Sequence, residues 1–480
     1  MKNSKLASLL SKLSPKEFKE FGKFVKSPYF NTNSNILKLY DLIAKYFPDF
    51  ENENLTKENI YKKIYPGEKF NDSTSRGLLF LALKLGEQFL AVERVKQKKN
   101  IYQELLLSEL NERQIYDLFN IHLKTTRNEL DKVENKDDEY FFLKYRVETL
   151  KSVIDSKAFI PLTQKDIPGD IQTEDTDNLI NYFLTSILAK YNYLMTKTGS
   201  LNVSLNLKFL DEIIEYLQKT DLTDVPLLNY HYNRLMMYKS GMEDKYFFTL
   251  KKILYDDFDR LSRTEKYNLF GTLQNFCVKK DKISGKDSEV TQFELYKFAM
   301  DNDILTYDDK EPLHHMIFFN VVSCAIYNNK VEEAKEFIEK YKNRLAPSRI
   351  DSAVNFNMAK IYFKERAYNK AIESLALVHN DDVFYKVFVK HLYAMVYYEN
   401  GNFDELILLL DAYKSFLNSN NVLSAKIRAD HLEFVSFLSR LTKLKEIPDK
   451  KELEYLKHEV KKSKAILGNE WLVRRIDDLL

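Results

Sequence analysis

From about Asp177 onward, stretches with apolar residues at helical spacing are joined by short breaks at Thr198-Gly199-Ser200, Ser240-Gly241, Asn328-Asn329 and Asn400-Gly401. The resulting units run about 34 to 40 residues. A helix pair of that size cannot bury its own apolar face, so it must stack on the next pair. The same pattern disfavours β architecture, because sandwiches and barrels need turn residues every ~8 to 12 positions. This chain has only 11 Gly and 10 Pro in 480 residues, mostly between the periodic segments. A chain of that length also exceeds one ordinary globular core.

The N-terminal part does not follow the repeat. Ser14-Pro15-Lys16-Glu17 is a capping box with proline at the first helical position, and Phe18, Phe21 and Val25 follow at helical spacing. A second helix is predicted to start among Asn31 to Asn35 and to carry Ile36, Leu39, Tyr40 and Ile43 on one face before Pro48. Thr56 caps a third, with Leu55 and Ile60 as a hydrophobic staple and Pro66-Gly67 as its stop. A fourth, from about Asp72 to Lys99, is apolar nearly all round between Leu78 and Leu90 and is expected at the buried centre. Residues 1–98 therefore read as one helical module. Two periodic segments, 100–134 and 138–157, give a connecting hairpin over 99–160, and the segment from Asp155 to Asp177, with Pro161, Pro168 and Gly169, reads as a boundary loop. The repeat array is assigned to 176–480.

Within the array, Ala359, Tyr362 and Ala371 place small, aromatic and small residues at a regular spacing, with Leu375 following. Ala394, Tyr397 and Gly401 recur 35 residues on, with Leu406 in place of the second small residue. Upstream, Val322, Ala325, Ala334 and Pro347 keep part of the register. This pattern, over about Met316 to Leu417, resembles the tetratricopeptide repeat. The resemblance implies an all-α fold in which antiparallel helix pairs form a right-handed superhelix behind the compact N-terminal module. It also implies that the first helix of each pair lines a concave face holding a peptide or another protein. The inward positions would be Phe356, Lys360 and Lys364 in one unit and His391, Met395 and Tyr398 in the next. The Asn-plus-Lys set with which some such proteins clamp a C-terminal carboxylate is not present.

Catalytic signatures are missing. None of the eight histidines has an i, i+4 partner of the kind a metal site uses, and His314-His315 point to different sides of a helix, one of them fitting a cap near Glu311-Pro312. Ser284-Gly285-Lys286-Asp287 has an acid where a phosphate loop needs a hydroxyl, and reads as an inter-helix turn. No nucleophile elbow, kinase set or dinucleotide fingerprint occurs. Acidic clusters at Asp256-Asp257-Asp259 and Asp477-Asp478 read as solvated helix ends. Cofactors and metals are accordingly expected to be none, and the chain is expected not to be an enzyme.

Charge and cysteine usage narrow the partners. With 73 basic against 71 acidic residues there is no overall electrostatic pull toward nucleic acid or a membrane surface. The high count of 31 Tyr and 33 Phe follows the helical core stripe rather than a stacking surface. Two cysteines, Cys277 and Cys324, cannot build a disulfide framework, which suits a reducing, cytoplasmic setting. The first ten residues lack the apolar run of a secretory signal, and no apolar stretch approaches the ~20 residues that span a bilayer.

A second function class remains. Leu55-Thr56 through Pro66-Gly67, followed by Arg76, Leu78 and Leu85, resembles the helix-turn-helix of bacterial winged-helix activators that carry tetratricopeptide-like domains downstream. Against it, that helix is Leu-rich on all faces and offers only Arg76 and Lys84 as basic groups, while a recognition helix needs a polar face for bases and phosphates. The short run Arg94, Lys96, Lys98 and Lys99 is the remaining phosphate candidate. At the C-terminus, Lys457, Lys461, Lys462 and Lys464 form the polar face of a helix, and Trp471 and Leu472 are expected to dock back as a cap. The sequence thus points first to a non-enzymatic interaction or scaffold protein with a protein or peptide partner, and second to a DNA-binding regulator.

Overall fold

The computed structural model describes residues 4–157, 174–198, 206–280, 282–284, 286–308, 310–379, 383–420, 422–463 and 468–480. Pro161, Pro168 and Gly169 of the expected boundary loop, and Gly199-Ser200 of the first break, lie outside them. The described residues form 23 α-helices, and their one sheet is a two-residue antiparallel ribbon, β1 (Lys282–Ile283) with β2 (Lys286–Asp287), where an inter-helix turn was expected. The chain divides into two compact units, 1–133 with 138–183, and 134–137 with 184–480.

The first unit contains α1 (Lys5–Leu10), α2 (Pro15–Lys26), α3 (Ser34–Ile43), α4 (Lys57–Ile64), α5 (Asp72–Gln97), α6 (Lys99–Glu112), α7 (Tyr116–Leu130) and α8 (Asp138–Lys157). Its hairpin helices group with the N-terminal helices. The capping box at Ser14 forms as written, and Thr56 caps α4 by accepting from the backbone N–H of Asn59. Phe18, Phe21, Phe24, Leu39, Ile43, Leu85 and Phe89 share one buried core.

Two expectations fail here. Helix α5 buries only one face, through Leu78, Ala82, Leu85 and Phe89, and leaves Phe80, Leu81 and Leu90 exposed. Its neighbours cover a stripe, so composition alone misjudged its depth. The segment 100–134 is two helices, not one, because Gln114 takes a left-handed conformation (φ 59°) and the N–H of Ile115 bonds the carbonyl of Leu110. No Gly or Pro announces that break.

The second unit holds most of α9 (Glu174–Thr198), then α10 (Leu210–Gln218), α11 (Pro226–Lys239), α12 (Asp244–Asp256), α13 (Arg263–Lys279) and α14 (Ser288–Asp301). It continues through α15 (His315–Tyr327), α16 (Val331–Tyr341), α17 (Ile350–Lys364), α18 (Tyr368–Ala376), α19 (Val383–Asn400) and α20 (Phe403–Ser419). Helices α21 (Ala425–Glu446), α22 (Lys450–Lys462) and α23 (Asn469–Asp477) complete it. From α11 on, each helix packs against its sequence neighbours, and α15 touches α17 as α17 touches α19.

One turn recurs between paired helices. Asn329, Arg366 and Gly401 all have φ near +60° to +80°, and each turn closes with the Schellman bond, from Lys330 to Ala325, Ala367 to Tyr362 and Asn402 to Tyr397 at 2.8 to 2.9 Å. These turn residues stand 37 and 35 residues apart, the repeat pitch read from sequence. Arg366 occupies this position without the glycine or asparagine that flags the other two. Ala325, Ala334, Ala359, Ala371 and Ala394 are all buried, as close approach of paired helices requires.

Ser262 also forms its capping box, accepting from the Glu265 N–H at 3.3 Å while the Glu265 carboxylate accepts from the Ser262 N–H at 2.7 Å. Ser262→Ala strips α13 of that cap and should lower stability by about 1 kcal/mol. A urea midpoint unchanged from that of the parent protein would show that the cap contributes nothing.

Candidate functional site

Counting back from the turn residues aligns three first helices. Six positions before Asn329, Arg366 and Gly401 stand Ser323, Lys360 and Met395, and ten positions before stand Phe319, Phe356 and His391. The first of these rows opens onto a single cavity of about 730 Å³ in the second unit. Its walls are Ser323, Ile326, Tyr327 and Asn329 from α15 and its turn, Lys360 and Lys364 from α17, and His391 and Met395 from α19. The C-terminal segment adds Gly468, Glu470 and Arg474. Four of the six residues singled out from register, Lys360, Lys364, His391 and Met395, therefore meet in one place.

The other two do not. Phe356 is buried, stacking on Phe319 at 5.6 Å and tilting against Tyr385 at 4.9 Å. At 3.6 residues per turn, each step of four along α17 rotates about 40°, so Phe356 and Lys364 cannot share an exposed line. Tyr398 is buried for a different reason: the Trp471 ring meets it edge-on at 5.4 Å, and the Lys445 ammonium lies 4.8 Å from its ring centre. Both are core residues, which corrects their placement on a binding face.

The cavity wall carries an excess of cations. Lys364 and Arg474 face one carboxylate, Glu470, which is already paired with Arg474 at 3.1 Å, and the amine of Lys360 opens onto the same wall. The Lys360 Nζ donates to Ser323 Oγ, lies 3.4 Å from the Phe319 carbonyl and sits 3.8 Å from the centre of the Phe319 ring. Burial without an opposing charge pushes this amine down to about 7. His391 is nine-tenths buried with its ring centre 3.9 Å from that of Phe434, and its Nδ1 finds no hydrogen-bond partner among the described residues. Desolvation, with His431 as a lesser cause, pushes its imidazole down to about 3.

Gly468 closes the floor. Its φ is +80°, and a Cβ there would come within 3.0 Å of the Phe434 ring and 3.5 Å of the His391 ring, so only glycine brings the chain in at this point. Nothing in the sequence linked Gly468, Glu470 and Arg474 to residues more than seventy positions upstream. Ser323 and Tyr327 were findable, since they hold in α15 the places that Lys360 and Lys364 hold in α17.

The remaining candidates resolve as structure. His314 caps α15, its Nδ1 accepting from the Met316 N–H at 3.2 Å. Cys277 and Cys324 are buried thiols pushed up to about 12 by desolvation. Among the described residues no group of three or more His, Cys, Asp or Glu side chains is placed to hold a metal ion, and no helix is long and apolar enough to cross a membrane.

In the first unit, the proposed recognition helix has Arg76 paired with Asp72 and Lys84 with Glu87, while Lys96, Lys98 and Lys99 pair with Glu93, Glu139 and Glu129. α6 begins at Lys99, where a winged helix would continue into strands. Basic groups already held by carboxylates are a poor phosphate footprint. Compared with known protein families, curated proteins and solved structures, the chain has no match.

Proposed function

We propose that this chain is a non-enzymatic interaction protein whose second unit is a tetratricopeptide-like superhelix that receives a peptide or protein partner in the cytoplasm. The observation carrying this reading is the cavity of about 730 Å³ into which three successive first helices direct equivalent positions. Its volume lies in the ~300 to 1,000 Å³ range usual for ligand sites. The wall mixes an apolar floor, from Ile326 and Met395, with polar and cationic groups at its rim. Such a surface recognises side chains and backbone together, with the charges setting register and the apolar floor supplying affinity.

The test is comparative capture. The full chain and a Lys364→Glu/Arg474→Glu variant are each used as bait in extract from the native cell. Both positions are exposed, so the fold should tolerate the change to within about 0.5 kcal/mol. At least one protein retained by the parent chain and lost by the variant is expected. Identical recoveries, or recovery of bait alone, overturn the reading.

A further inference from the structure

The amine of Lys360 is unlike its neighbours. Several lysines of the same unit reach carboxylates, as Lys335 does with Glu365 at 2.7 Å and Lys457 with Asp477 at 2.5 Å. Lys360 has neutral acceptors only. Ser323 Oγ donates its own proton to the Phe319 carbonyl at 2.8 Å, so it offers the amine a lone pair and nothing to neutralise it. A neutral Lys360 keeps that hydrogen bond with one N–H and retains an uncommitted lone pair on a wall of an open cavity.

Among the described residues, no carboxylate lies within hydrogen-bond reach of this amine. From α15 come the protonated thiol of Cys324 and the phenol of Tyr327; from α17 comes Lys364, a like charge one turn on. From α19 comes His391, neutral near pH 7, and from the C-terminal segment come Arg474 and Glu470, joined to each other. None is a free anion. The unpaired positive charge of Lys364 and the excess of cations at the rim favour a ligand carrying a negative group.

We propose that Lys360 is a covalent capture site, its amine condensing reversibly with the carbonyl of a small anionic aldehyde that enters the cavity. The amine lone pair attacks the carbonyl carbon, forming the C–N bond as the C=O π pair moves to oxygen. One amine proton passes to that oxygen. The carbinolamine then loses its hydroxyl with the second amine proton as water, leaving the imine. One amine and one aldehyde give one imine and one water, with no change of oxidation state. The depressed basicity of Lys360 supports the step, since a far larger share of this amine is free base at neutral pH than of an ordinary lysine. The site uses the same cavity as the docking surface but does not rest on a protein partner being found there.

The experiment is competitive labelling of the full chain. One equivalent of glyoxylate is added at a series of pH values, imines are trapped with cyanoborohydride, and adducts are located by peptide mass spectrometry; butanal serves as the uncharged comparison. The dominant glyoxylate adduct is expected at Lys360, its rate levelling off above about pH 7 to 8 while those of other lysines still rise at pH 9. Glyoxylate should outpace butanal at Lys360 by about tenfold or more, and Lys364→Gln/Arg474→Gln should shrink that ratio. Lys360→Met removes the amine at similar length and brings no charge into the site, so it should abolish the adduct while leaving the far-UV spectrum unchanged. Labelling spread over lysines by exposure, or a Lys360 midpoint near 10, overturns the capture site. Equal rates for the two aldehydes overturn its anionic preference. Because no extract is involved, these outcomes are independent of the capture experiment on protein partners.

Discussion

Leu472→Ala should destabilise the second unit by about 2 to 5 kcal/mol, the usual cost of truncating a buried leucine. This is a large effect for a residue only eight positions before Leu480. It follows from how α23 is held. Leu472 and Ile476 are fully buried in a core shared with Leu406, Leu410, Phe434, Leu438 and Leu456, and α23 packs against both α21 and α22. The Trp471 Nε1–H donates to Glu399 at 2.6 Å, and Arg475 approaches the other oxygen of the same carboxylate at 3.3 Å. That carboxylate is only 12% exposed, so the pair also anchors α23 to α19.

The lone tryptophan makes the prediction readable locally. In the parent protein its emission should be blue-shifted from that of a solvated indole, and in Leu472→Ala it should move red at lower denaturant than before. Tyr455→Ala, at an exposed position on α22, should change the midpoint by no more than about 0.5 kcal/mol. If Leu472→Ala behaved like Tyr455→Ala, or native Trp471 emitted like free indole, α23 would be a loosely attached end and the cavity would lose one wall.

The second large effect is acid lability well above the carboxylate range. His391 and His431 are buried and His231 is half-buried, and desolvation pushes His231, His391 and His431 to about 3, 3 and 4, against about 6.5 for an ordinary histidine. Between those values the unfolded chain binds protons that the folded chain refuses, so stability is fully present above about pH 6.5 and is lost as pH falls. Each histidine contributes up to about 1.4 kcal/mol per pH unit, and the three together about 4 kcal/mol per unit between pH 6 and 5. His391→Leu should cut that slope by about a third, because its Nδ1 has no partner to strand and the leucine keeps contact with Phe434. His431 is a poorer choice, since its Nδ1 lies 2.7 Å from the Tyr413 hydroxyl.

On the alkaline side, Lys360 acts in the same direction. The folded amine releases its proton near 7 and the unfolded one near 10.5, so stability rises with pH through that interval. Cys277 and Cys324 oppose it above about pH 9, because the folded chain keeps thiol protons that the unfolded chain gives up. Urea titrations at half-unit steps from pH 5 to 10 should therefore show a steep rise to about pH 6.5, then a shallow climb, then a fall. A flat profile between pH 5 and 7 would mean that the three imidazoles are not desolvated in solution.

Helix starts and most turns were written locally. Ser14 and Ser262 each bind an N–H three residues away, and Gly241, Asn329 and Gly401 each take the left-handed conformation that closes a helix within five residues. These features need nothing beyond their own neighbourhood, which is why sequence alone determined them, together with the small positions at Ala359, Ala371 and Ala394 that follow from the same register.

Packing decided the rest. Gln114 and Arg366 adopt left-handed turns that their residue types do not favour, because the helices on either side have apolar faces to bury. Whether Phe80 is exposed or Tyr398 is covered depends on residues far along the chain, Trp471 in the second case. Lys360 was legible as a position on a first helix. Its low basicity was not, since that arises from burial of the amine against the preceding repeat, with no carboxylate placed beside it. Short-range hydrogen bonding was therefore readable from the residues, whereas burial and charge balance at the site had to wait for the tertiary contacts that create them.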